Sequence, residues 1–225
     1  MALKAVIVGA TGLVGRELVR VLLNAKKYEK VIVIARRRLS IVHPRLEQQL
    51  IQFDQMHECP EEWFKDADVF CTLGTTIKKA GSTEQFEKVD YHYVIEIAKL
   101  AKLYYSRKFI VVTAMGSDDQ SKIFYNRVKG KTELELQQLQ LPQLIIVRPS
   151  LILGDRNEAR FGESVAAKLM TWLSFMFKGK MRKYKPIQAR DIAIGMFKLA
   201  KLCKDPLIIV SSEEIEVWSK KKLYK

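Results

Sequence analysis

Residues 4–18 read KAVIVGATGLVGREL, and this stretch decides the fold. Lys4 to Val8 is an apolar, largely β-branched run without alternation, as a strand covered on both faces requires. Leu13 to Leu23 then carries apolar residues at helical spacing. Between the two, Gly9, Gly12 and Gly15 are spaced G-x-x-G-x-x-G, at the join of strand and helix where this motif gains meaning. Gly9 permits a tight turn, Gly12 keeps side chains away from an approaching pyrophosphate, and Gly15 lets the helix pack closely on the strand. The helix start, with Thr11, Leu13 and Val14 around it, offers unpaired N–H groups and a positive dipole end to phosphates. The expected ligand is a dinucleotide.

Working outward, apolar runs keep alternating with amphipathic stretches. Lys30–Ala35, Leu50–Phe53, Asp68–Leu73, Lys108–Thr113, Leu144–Arg148 and Pro206–Val210 read as strands. Glu84–Leu103, Lys122–Leu139, Ser164–Phe177 and Ala189–Leu202 read as helices. Strand–helix alternation predicts an α/β Rossmann fold, a doubly wound parallel sheet with helices on both faces. With no repeat or low-complexity linker, residues 1–225 form one domain, about 150–225 contributing a small C-terminal substrate-side subdomain.

Cofactor choice is made at the end of the second strand. A chain selecting NAD usually places Asp or Glu there for the ribose hydroxyls. This one has Ala35-Arg36-Arg37-Arg38. Guanidinium groups bind a 2′-phosphate that a carboxylate would repel, so NADPH is favoured over NADH. Arg36 is the first candidate, with Arg37 and Arg16 as helpers. Asp54, after the third strand, is positioned to accept from the adenine amino group.

Composition bounds the remaining possibilities. The 225 residues are 48% hydrophobic, enough for a sizeable core, and no stretch reaches the roughly 18 apolar residues that cross a bilayer. Cys59, Cys71 and Cys203 are scattered, which argues against a disulfide framework, and neither they nor the three histidines have metal-ligand spacing. Met1-Ala2-Leu3-Lys4 runs straight into a strand without a leader-like pattern, so the expected location is cytoplasmic. The net charge of +14 is spread along the chain without a nucleic-acid motif, which argues against nucleic-acid binding. The apolar stretch 168–177, the basic cluster 178–183 and the tail 220–225 leave peripheral contact with anionic membranes open. Monomer and homodimer fit equally.

Tyr125-Asn126-Arg127-Val128-Lys129 places Tyr and Lys at i and i+4, on one helix face. A tyrosine is a poor acid at neutral pH, and a nearby ammonium stabilises its phenolate. Thr113, 12 residues earlier at the end of a strand, is placed to give a hydroxyl to a substrate oxygen.

Here the sequence resembles the short-chain dehydrogenase/reductase superfamily, most closely its atypical, Tat-interacting-protein-like NAD(P)H-binding subgroup. The matching stretches are GATGLVGREL (9–18), TLGTT (72–76), VDYHY (89–93), FYNRVKGKTELEL (124–136) and RPSLILGDR (148–156), in collinear order. The resemblance implies that Tyr125 is the acid/base and Lys129 its electrostatic partner and ribose anchor. It implies that Leu73, Gly74 and Thr75 line the cofactor and that Pro149, Ser150 and Leu151 sit against the nicotinamide. The superfamily's usual serine is replaced by Thr113-Ala114-Met115-Gly116-Ser117, with Thr113 the better substitute by spacing and Ser117 the alternative. The expected reaction is hydride transfer from NADPH to a carbonyl-like small organic substrate. The competing reading is a regulatory or redox-sensing protein that binds NADPH without turnover.

Overall fold

The computed structural model describes residues 3–154 and 184–222. Strand β1 (Lys4–Val8) leads through the glycine turn into helix α1 (Leu13–Asn24), then β2 (Lys30–Ala35) and β3 (Leu46–Leu50). A 3-10 segment (Phe53–Glu58) and the short α2 (Glu61–Phe64) precede β4 (Ala67–Cys71). Helices α3 (Ile77–Ala80), α4 (Thr83–Glu87) and α5 (Tyr93–Leu103) follow, with a π turn at Lys88–His92 between the last two. Next come β5 (Lys108–Val112), α6 (Phe124–Gln138), β6 (Leu144–Arg148) and β7 (Ile152–Leu153). The chain continues as β8 (Ile187–Gln188), α7 (Ala189–Leu202), β9 (Leu207–Ser211) and α8 (Ser212–Lys220).

Seven parallel strands lie in the order β3-β2-β1-β4-β5-β6-β9, and β7 and β8 form a separate parallel pair. β1 pairs with β2 from Lys4↔Lys30 to Val8↔Ile34, and with β4 from Lys4↔Ala67 to Val8↔Cys71. The strand order reverses between β1 and β4, so a crevice opens at their carboxyl ends. The doubly wound α/β fold read from the sequence is the fold observed.

Two buried layers hold the sheet. α1 and α7 cover one face over Ile7, Val33, Ile110 and Ile145, while α5, α6 and the 3-10 segment cover Val8, Ile32, Val69 and Ile146. Each fully buried Val or Ile contributes about 1.5–3 kcal/mol of transfer free energy, which explains the unbroken apolar strands. α1 ends where the Arg45 guanidinium donates to the carbonyls of Leu23, Ala25 and Tyr28. At the amino ends of the strands, fully buried Asp68 accepts from Tyr28 Oη at 2.7 Å and Lys27 Nζ at 2.9 Å.

Three elements differ from expectation. The third strand is Leu46–Leu50, not Leu50–Phe53; as an edge strand with the polar sequence LEQQL it carries no apolar run. Phe53, expected to end that strand, opens the 3-10 segment. The helix expected over Glu84–Leu103 is interrupted by the π turn. Capping-boxed α8 (its box built on Ser211 and Glu214) was not anticipated. Beyond residue 150, β9 and α7 join the main sheet and its cover. The expected helix Ser164–Phe177 and the basic cluster 178–183 lie outside the described residues.

Candidate functional site

The glycine turn works by close approach. Gly9 has φ +90°, and a Cβ there would meet the Thr72 carbonyl carbon at 2.5 Å, so the turn lies directly against the end of β4. A Cβ on Gly15 would come within 2.2 Å of Gly9 O, which fixes how tightly α1 sits on the turn. Gly12, exposed at the N-cap, supplies no side-chain cap, and the first turn of α1 contains no acidic residue. The helix N-terminus is thus left electrically favourable to an anion.

From this turn a cleft of about 590 Å³ runs across the carboxyl ends of β1, β4, β5 and β6. Its walls include Thr11, Gly12, Leu13 and Val14 at one end and Leu73, Gly74 and Thr75 after β4. Thr113, Tyr125 and Lys129 line the far part, with Pro149, Ser150 and Leu151 after β6. The structure gathers these residues around one space, while Gly9 and Gly15 support the turn without lining it and Arg36, Arg37 and Asp54 lie outside its walls. Arg16, Lys79, Asp90, Ala114 and Met115 also line it. A cleft of this size, floored by glycines at a helix N-terminus, fits a nicotinamide dinucleotide.

Lys129 and Asp90 form the buried centre. Lys129 Nζ lies 2.7 Å from Asp90 Oδ1, with side chains 4% and 0% exposed. Burial alone would push the Lys129 ammonium down; the Asp90 charge, Tyr125 and the Asp90 hydrogen bond outweigh it and leave the group above its usual value. One turn earlier, Tyr125 is half-buried, its ring 5.4 Å from that of Phe86. Its hydroxyl has no hydrogen-bond partner among the described residues.

The two hydroxyls proposed to replace the usual serine differ in how firmly they are held. Thr113 Oγ1 faces Val147 O at 3.4 Å, a long contact that leaves it mostly available. Ser117 Oγ donates to Ala114 O at 2.7 Å and closes the loop after β5. Ser150 lines the cleft, and its hydroxyl bonds Lys185 O and Ser212 Oγ, fastening the floor loop to α8.

The adenine end is less closely gathered. Arg36 and Arg37 are exposed at the end of β2, outside the cleft walls. The Arg36 guanidinium sits 5.1 Å from the Phe53 ring centroid, which orients it. Asp54 is already taken, by Lys88 Nζ at 2.7 Å and Tyr93 Oη at 2.8 Å. These two hydrogen bonds, that of Lys88 the stronger influence, hold its carboxyl below the usual range. Asp90 itself was missed as a site residue, although VDYHY was noted; a lone Asp in a helix reads as solvent-facing.

A family model described as HIM1 matches residues 65–184, and one described as the NAD binding domain of semialdehyde dehydrogenase matches residues 4–103. Protein HTATIP2 of Rattus norvegicus is 36% identical over 166 residues, 72% of this chain and 68% of that one. Protein FMP52, mitochondrial, of Eremothecium gossypii is 35% identical over 219 residues, 95% of this chain and 96% of that one. Among solved structures, MoeE5 in complex with UDP-glucose and NAD superposes with a TM-score of 0.68 at 12% identity, covering 94% of this chain and 79% of that one. The likeness to MoeE5 concerns the fold. The cytoplasmic expectation is overturned by the relatives named mitochondrial. Scattered thiols report a reducing milieu, which more than one compartment provides.

Proposed function

The chain belongs to the HIM1 family, an atypical NAD(P)-binding branch of the short-chain dehydrogenases/reductases, and from that premise we propose that it is an NADPH-dependent reductase of a carbonyl on a small organic substrate. One observation carries this reading: a Tyr125 hydroxyl with no hydrogen-bond partner among the described residues stands one helical turn from a buried, charged Lys129 on the wall of the dinucleotide cleft. Gly12, Leu13 and Val14 would hold the pyrophosphate, and Lys129 the nicotinamide ribose. When bound, NADPH supplies the hydride. Tyr125 gives its proton to the carbonyl oxygen, and the Lys129 ammonium stabilises the phenolate left behind. Thr113 orients that oxygen. Arg36 and Arg37 favour the 2′-phosphate and hence NADPH over NADH. We assign the chain to mitochondria by analogy with its FMP52 relatives.

The test is Tyr125→Phe. It is expected to abolish NADPH-dependent carbonyl reduction while leaving NADPH affinity within about twofold, because the phenol acts on the substrate. Unchanged turnover sinks the assignment.

A second reading, NADPH binding without turnover, is favoured by Ala114 at the usual serine position and by the engaged Ser117 hydroxyl. It predicts tight NADPH binding with no oxidation across a broad carbonyl panel. Robust turnover excludes it.

A further inference from the structure

The π turn at Lys88–His92 turns Asp90 inward, and that residue touches three parts of the site. Its Oδ1 holds Lys129 Nζ at 2.7 Å, and its Oδ2 accepts the Thr75 N–H at 2.8 Å, in the loop after β4. Its backbone carbonyl lies 3.0 Å from Thr132 Oγ1, a hydroxyl that also faces Val128 O at 2.8 Å. Lys129 and Thr132 are three residues apart on α6, so Asp90 grips that helix on one face. Gly74 completes the contact: a Cβ there would stand 3.4 Å from Asp90 Oδ1 and 3.7 Å from Lys129 Nζ.

We propose that Asp90 is a positioning residue which keeps Lys129 charged and locks it to the Thr75 cofactor loop, so that ribose anchor and loop act as one unit. This rests on the reading of Lys129 as the ribose anchor. The ammonium is almost wholly removed from water, and one carboxylate compensates it. Facing it are Asp90 from the π turn, Tyr125 from its own helix and Cys71 from β4. Cys71 is pushed up to about 12 by burial and stays a neutral thiol. Arg16 and Lys79 line the same cleft. Without the Asp90 charge, only the weaker influences of Tyr125 and Cys71 oppose the burial that drives Lys129 toward its neutral form.

The experiment measures NADPH affinity by calorimetry across about pH 5.5 to 9, a range spanning the values to which burial can lower a lysine. The wild-type chain is expected to bind with nearly constant affinity. Asp90→Asn keeps the size of the side chain and removes the charge, and its affinity is expected to fall at least about tenfold as pH rises through that interval. Asp90→Asn combined with Lys129→Gln is expected to bind weakly and without pH dependence, which assigns the titration to Lys129. Asp90→Asn binding like the wild type at every pH overturns the proposal. If Asp90→Asn does not fold, Asp90→Glu decides: it keeps the charge but misplaces it, so affinity drops severalfold at all pH values, and unchanged affinity overturns the proposal. Binding rather than turnover is read, so a chain that binds NADPH but reduces nothing loses the proposed reaction and still tests Asp90. A wild-type chain that binds neither NADPH nor NADH overturns the cofactor reading itself.

Discussion

Gly130 follows Lys129 in α6, and its replacement by alanine sets two effects against each other. In an exposed helix the change would stabilise by up to about 1 kcal/mol, because alanine is the better helix former. Here the added Cβ would meet Asp119 N at 2.1 Å and Asp118 C at 2.2 Å, both backbone atoms of the loop after β5. Ordinary contact begins at 3.4 Å, so the nearest approach is short by 1.3 Å. No rotamer relieves a backbone contact; the loop or the helix must move by that amount. A backbone overlap of this size puts the cost at the upper end of the roughly 1–3 kcal/mol typical of overpacking, so after the helix-propensity gain the net expectation is a loss of about 2 kcal/mol. The displaced helix also carries Tyr125, and an error near 1 Å in a reacting group costs about 100-fold in rate. Urea unfolding and NADPH consumption measure the two effects. A Gly130→Ala chain as stable as the wild type, or more stable, would refute the close packing of loop on helix.

Other substitutions address separate parts of the molecule. Arg36→Ala is expected to weaken NADPH binding about 10- to 100-fold, the worth of a lost charge-assisted hydrogen bond, and to leave NADH binding unchanged; equal effects on both cofactors would remove Arg36 from the 2′-phosphate. Asp68→Asn strands Lys27, only 15% exposed, and weakens the acceptor for Tyr28, so urea unfolding should register a loss of about 3 kcal/mol. A loss under about 1 kcal/mol would mean that the cluster is solvated. Burial pushes the thiols of Cys59 and Cys71 up to about 11 and 12 and raises that of Cys203. All three should therefore ignore a disulfide reagent in the native protein at about pH 8 and react once it is unfolded. One rapidly reacting thiol in the native state contradicts the packing of the core.

The parts of the fold legible in the sequence are those where burial on both faces leaves an unbroken apolar record, as in β1, β2, β5 and β6. β3 is a sheet edge and is half-polar, so its pairing with β2 is a tertiary fact with little local signature. The site follows the same division. Gly9, Gly12, Gly15, Tyr125 and Lys129 announce themselves because backbone approach and a one-turn spacing leave sequence patterns. Asp90 does not, since only the extra residue of a π turn swings it inward. The engagement of Asp54 with Lys88 was equally hidden, because it joins residues far apart in the chain.

The position of α7 in the chain has a consequence for synthesis. Six of the seven sheet strands, in unbroken spatial order, are contained in residues 4–148, so most of the sheet can pair before the rest of the chain exists. One face of that sheet, over Ile110 and Ile145, waits for Ala189–Leu202 to arrive and pack beside α1. A growing chain therefore presents a broad apolar surface for the time needed to add roughly 50 more residues, several seconds at about 5–20 residues per second. During that interval it is a client for whatever shields nascent chains, and its solubility depends on how fast its last helices are made.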